Sequence, residues 1–273
     1  MKKIGVALGG GGAKGLAHIA MLEVLDEFDV DVHMVSGTSI GAIIGALYAA
    51  GRSASEMREA IAELTETPRT LKEAWEAKEL PAWLGFIDVD VGRSSLLKVD
   101  RFLAELEEAM GVSTFEALPT PLKIVASDFW AREQVVFDSG PLLPAIAASF
   151  ALPGIFKPVV LDGRVLIDGG SVNPVPYDLL LDSCDITIAI DVIGKRKPGD
   201  ELIPSYTETL FNTFQISEKT IVVEKLKACA PTIYIEPEIE DVRVLEFHKA
   251  DEIYVQAGSA RDELRRALTE ALR

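Results

Sequence analysis

Histidine and cysteine are scarce in this chain, with three and two respectively among 273 residues. The two cysteines, Cys184 and Cys229, have no C-x-x-C partner. A disulfide framework and a zinc site therefore lack material, and no metal is expected. Two isolated thiols fit a reducing, cytoplasmic setting. Basic residues are outnumbered 27 to 43, for a formal charge of -16. That balance argues against the basic face a nucleic-acid binder needs and opposes electrostatic docking on anionic lipid. Apolar, peripheral contact with a membrane surface stays open. No stretch approaches the ~18 uninterrupted apolar residues of a membrane span. The opening Met1-Lys2-Lys3 and the apolar run after it faintly imitate a leader, but the run is short and breaks into four glycines, so it reads as a first strand.

What is present is a large apolar fraction, 48% of residues, enough for a sizeable core. Residues 4–8 read as a strand, 14–29 as a helix and 30–35 as a second strand. An apolar helix over 40–50 ends at Gly51. The next helix opens with a capping box, Ser53 and Glu56. Over 68–99 the periodicity weakens. Trp75, Trp83, Leu84, Phe86 and Ile87 cluster there, as core, acyl pocket or lid. Further on come a helix over 98–110, strands over 122–127, 134–137, 165–167 and 186–192, and a short helix over 142–149. Two amphipathic helices, 208–228 and 258–273, close the chain, the second with Leu264, Leu268 and Leu272 at helical spacing, and both are expected to pack on the core. Strands alternating with helices predict an α/β fold with a mostly parallel sheet, in which function gathers beyond the carboxyl ends of the strands.

Three motifs fall at such ends. Gly9-Gly10-Gly11-Gly12-Ala13-Lys14-Gly15 links a strand to a helix, where backbone N–H groups bind anions. It matches the dinucleotide fingerprint from Gly10 to Gly15, but the second strand ends in Ser36-Gly37-Thr38-Ser39 and lacks the ribose-binding acid. Lys14 reads as a solvated helix residue or as a source of positive field. Gly37-x-Ser39-x-Gly41 sits between strand and helix, the context in which a sharp elbow exposes a serine nucleophile; the plain alternative is a helix-capping serine. Asp168-Gly169-Gly170 is either an ordinary turn or a carboxylate able to take the Ser39 proton directly. The usual base is a histidine. His18 and His33 read as structural, whereas His248 completes the order of a Ser39–Asp168–His248 triad.

In this order and combination the motifs resemble the patatin-like phospholipase family, as do Ala148-Ser149-Phe150-Ala151-Leu152-Pro153-Gly154 and Asn173-Pro174-Val175-Pro176. The resemblance runs from about residue 2 to 192. It implies a three-layer α/β/α sandwich in one domain, 1–273, with no cofactor. It implies a dyad of Ser39 as nucleophile and Asp168 as base, and an oxyanion hole of Gly10, Gly11 and Gly12 amides. Lys14, Gly15, Gly37, Gly41, Gly169 and Gly170 complete the motifs. The substrate it implies is a lipid or simpler carboxylic ester. A non-enzymatic lipid-binding or scaffold protein is the alternative from another class. Oligomeric state is not legible.

Overall fold

The structure, a computed structural model, describes residues 2–65, 88–89, 97–98, 100–195 and 203–273. The aromatic cluster of Trp75 and Trp83 lies outside these residues. The strands are β1 (Ile4–Leu8), β2 (Val32–Thr38), β3 (Asp88–Val89), β4 (Leu97–Lys98), β5 (Leu122–Asp128), β6 (Glu133–Phe137), β7 (Val159–Leu161), β8 (Arg164–Asp168), β9 (Ile186–Ile190) and β10 (Ile233–Ile235). The α-helices are α1 (Ala17–Glu27), α2 (Ile40–Ala49), α3 (Ala54–Thr65), α4 (Asp100–Met110), α5 (Leu142–Ser149), α6 (Tyr206–Ala228), α7 (Ala250–Gln256) and α8 (Gly258–Ala271).

The main sheet runs β10-β9-β1-β2-β5-β8-β7, with β6 against β5, and β3 pairs with β4 separately. From β10 to β5 the neighbours are parallel. Beyond β5 they are antiparallel. β1 and β9 are buried along their whole length, as central parallel strands covered on both faces must be. Their two faces differ. Ile4, Val6 and Leu8 of β1 and Ile186, Ile188 and Ile190 of β9 join the large core cluster. On the opposite face Ala7 and Ala189 meet Val175, Tyr177, Leu180 and Val222 in a small one. Small side chains there draw the covering layer close: a Cβ on Gly5 would lie 2.6 Å from Cys184 Sγ.

The sequence reading held for most elements, and four of its departures from the structure bear on the packing. The first helix begins as a tight 3-10 turn, Gly12–Leu16, before α1. Its Ala13 N–H donates to Val244 O, and Gly15 is pressed on Ile40, where a Cβ would come within 2.3 Å. Strands β7 and β10 are three residues each, too short to show a period. Leu272, expected on the buried stripe with Leu264 and Leu268, is 41% exposed at the C-cap of α8. The fourth is α6: it does not pack as a simple amphipathic core helix, because Leu210, Ile216 and Val223 face solvent.

Candidate active site

The sheet's change of direction brings two distant residues together. β2 pairs with the first half of β5, ending with Thr38 opposite Val125. β8 pairs with the second half of the same edge, in the opposite direction, placing Asp168 opposite Ala126. The carboxyl ends of β2 and β8 thus abut on consecutive β5 residues, and the next residue after Thr38 is Ser39. The close approach requires Gly169, where a Cβ would lie 2.3 Å from Val125 O.

Ser39 stands at the N-cap of α2 with φ 56° and ψ −124°, a left-handed conformation that costs a non-glycine residue energy and is kept where neighbours enforce it. They do so here. A Cβ on Gly37 would meet Gly41 O at 2.4 Å, and one on Gly41 would meet Leu8 O at 2.1 Å. The turn is anchored by Ser149, whose Oγ accepts from Ser39 N–H at 2.9 Å and donates to Val125 O at 2.6 Å. Thr38 Oγ1 donates to Asn173 O at 2.8 Å. Despite its N-cap position, Ser39 makes no side-chain cap bond. Its hydroxyl donates to Asp168 Oδ2 at 2.6 Å.

Asp168 is 1% exposed. Its Oδ1 accepts from Gly170 N–H at 2.7 Å. Burial pushes its carboxyl up to about 6, against the opposing pull of the Ser39 and Gly170 hydrogen bonds. A carboxylate so placed is a stronger base than an exposed aspartate.

The glycine loop lies alongside. Gly10 N–H donates to Pro174 O at 2.9 Å, so this amide is already engaged; its inclusion among the oxyanion donors does not hold. The Gly11 and Gly12 amides have no acceptor among the described residues, and both glycines line the cavity that contains Ser39 and Asp168. Lys14 is not solvated: it is 3% exposed, and its ammonium donates to Ile193 O. His18 is buried too, with Nε2–H donating to Gly9 O at 2.8 Å; burial pushes it down to about 4, so it braces the loop as a neutral ring. His33 is half-buried in β2, and His248 is exposed on the 3-10 turn Phe247–Lys249. Among the described residues no histidine bonds to Ser39 or Asp168, which leaves the His248 triad without its central contact.

A cavity of about 620 Å³ opens from Ser39, lined by Ile43, Leu47, Phe102, Phe150 and Phe214 among other apolar groups. It follows α2 toward Arg52, where Glu56 and Glu105 also face it. One wall residue was invisible in the sequence: Glu218 of α6, 4% exposed and lining the cavity with the dyad. A lone Glu within a helix carries no sequence signal. Ser149 carried one only as part of a matching segment.

A family model for patatin-like phospholipases matches residues 6–181. The chain belongs to the patatin-like phospholipase family. Within that family it is 34% identical over 212 residues to an NTE family protein of Mycobacterium tuberculosis, covering 77% of this chain and 55% of that protein. It is 29% identical over 277 residues to patatin-like phospholipase domain-containing protein 6 of Homo sapiens, covering 92% of this chain and 19% of that protein. The chain therefore spans about half the length of the mycobacterial relative and about a fifth of the human one. Among solved structures, VipD from Legionella pneumophila superposes with TM-score 0.48 at 15% identity, covering 96% of this chain and 67% of that one.

Proposed function

We propose that this patatin-like chain hydrolyses carboxylic esters of lipid-like substrates with Ser39 as nucleophile and Asp168 as the only side-chain base. The observation that carries this is the 2.6 Å contact from Ser39 Oγ to a buried Asp168 carboxylate at the end of an apolar cavity. Ser39 Oγ bonds to the ester carbonyl carbon as its proton passes to Asp168. The oxyanion develops beside the Gly11 and Gly12 amides, one such donor being worth roughly 10²–10³ in rate. Asp168 returns the proton to the leaving alkoxide, giving an alcohol and an acyl-serine. It then takes a proton from water, whose oxygen attacks the acyl carbon. Protonation of Ser39 as the acid departs restores the enzyme. The cavity's volume lies within the usual range for small-molecule sites, and its apolar walls suit an acyl chain.

The test is turnover of p-nitrophenyl esters by folded variants, beside labelling with a fluorophosphonate. Ser39→Ala abolishes both. Asp168→Asn lowers kcat by about 10²–10⁴, the usual worth of a positioned base, because an amide cannot take the proton. In the wild type kcat/KM falls as pH drops through about 6, where Asp168 becomes protonated. His248→Ala stays near wild type; a loss of several hundredfold would instead install the triad. Full activity in Ser39→Ala would overturn the proposal.

A further inference from the structure

Glu218 projects from α6 into the catalytic end of the cavity. Its side chain is 4% exposed, and what it does expose is turned to that cavity. Gly170 shows how near it stands to the proposed base. A Cβ built there would lie 2.1 Å from Glu218 Oε1 and 3.1 Å from Asp168 Oδ1. Both oxygens lie near one point, so they are at most about 5 Å apart, close enough that the charge on Asp168 acts on Glu218 and the two do not ionise independently. The Cβ position of Gly10 lies 3.7 Å from the same Oε1. Glycine at 170 is thus what admits the second carboxyl.

We propose that Glu218 is a positioning residue of the active site: it stays protonated while the site works, so that the carboxyl pair carries one negative charge, on Asp168. This rests on the Ser39–Asp168 reading and extends it. The singly ionised pair is the working form. With both carboxyls protonated there is no base. With both ionised, a second negative charge stands beside the place where the oxyanion develops and opposes it. The proton Glu218 loses goes to solvent. Among the described residues, the charged groups that act on Glu218 are Asp168 from the end of β8, Lys14 from the first 3-10 turn and Asp191 beyond β9. Asp191 is already held by Lys219 and Tyr234. Burial and the Asp168 charge raise Glu218 well above the usual carboxylate range, outweighing Lys14, in keeping with the protonated form.

The test is the pH profile of kcat/KM for a neutral p-nitrophenyl ester, in wild type and Glu218→Gln. The wild type is expected to give a bell, with an acid limb and an alkaline fall. In Glu218→Gln the acid limb stays in place and the alkaline fall is lost, whatever the amplitude, because glutamine cannot ionise. A wild-type profile with no alkaline fall, or a fall that survives the substitution, overturns the inference. Should the variant not fold, infrared spectra of the wild type decide: a protonated-carboxyl band at neutral pH that disappears along the alkaline limb supports it, and absence of that band at neutral pH overturns it. An inactive Ser39→Ala together with unchanged Glu218→Gln kinetics sinks Glu218's role alone. An active Ser39→Ala sinks the dyad.

Discussion

Helices α6 and α8 read alike in sequence, yet they do different work. α8 turns Ala260, Leu264 and Leu268 into the large core, and its outer arginines, Arg261 and Arg265, pair with Glu27 of α1. α6 is longer and buries less. It opens with a capping box of Ser205 and Glu208. Thr209, Thr213, Ser217 and Thr220 then each bond back to the carbonyl four residues earlier, a habit that slightly weakens and bends helices. Its Ile216 is 66% exposed, and the residues it commits inward include Val222 and the carboxyl of Glu218. One helix supplies the fold with apolar burial. The other supplies a wall of the cavity, with a buried acid at a cost in stability.

The sharpest way to break this contrast is Leu264→Ala. Deleting a fully buried leucine side chain costs about 2–5 kcal/mol, roughly 10 °C in a chain of this size. Specific activity per folded molecule is expected to stay unchanged, read by thermal denaturation beside ester turnover. A catalytic loss at intact stability would show that α8 serves the site after all. On α6 the opposite pattern is expected. Phe214 lines the cavity. Phe214→Ala is expected to lower kcat/KM for long-chain esters relative to short ones by about 10–100-fold, since lost apolar contact with substrate is worth about 1–3 kcal/mol. Its stability loss should stay below that of Leu264→Ala. Equal losses for all chain lengths would take the acyl chain out of this cavity.

The same contrast marks what the sequence could show. Leu264 and Leu268 were legible because burial on a helix repeats every three to four residues. β1 and β9 were legible because central strands are almost continuously apolar. Ser39, Asp168 and the glycines around them were legible because steric need leaves a spaced pattern: no other residue fits at 37, 41 or 169. What stayed hidden was decided by partners far along the chain. Gly10 looked like its neighbours until the Pro174 carbonyl claimed its amide. Lys14 looked solvated until the loop after β9 covered it. Glu218 has no local pattern at all, and only the packing of α6 over Gly170 gives it meaning. The antiparallel turn of β8, which sets Asp168 beside Ser39, likewise depends on pairing rather than on local periodicity.

Stability against pH sharpens the contrast further. Glu218 is raised in the fold, so its contribution is fully present below its unfolded value, near 4.5, and is lost as pH rises through the folded one. Glu218→Gln removes that loss. Its melting temperature is expected to exceed wild type at pH 8 and to converge with it near pH 4, whereas Leu264→Ala is destabilised across the range. A glutamine variant less stable than wild type at pH 8 would mean that the ionised carboxyl is held by a partner and that α6 is not paying for the site. The smallest effect belongs to the outer face of α6. Ile216→Ser replaces a side chain that is 66% exposed with a residue of similar helix propensity, so stability should move by less than about 0.5 kcal/mol, with turnover of soluble esters unchanged. A loss of several kcal/mol would show that this face is covered in solution, for instance by a second copy of the chain. Ile216 would then belong with Leu264 as a core residue, and the division of labour between the two helices would fail.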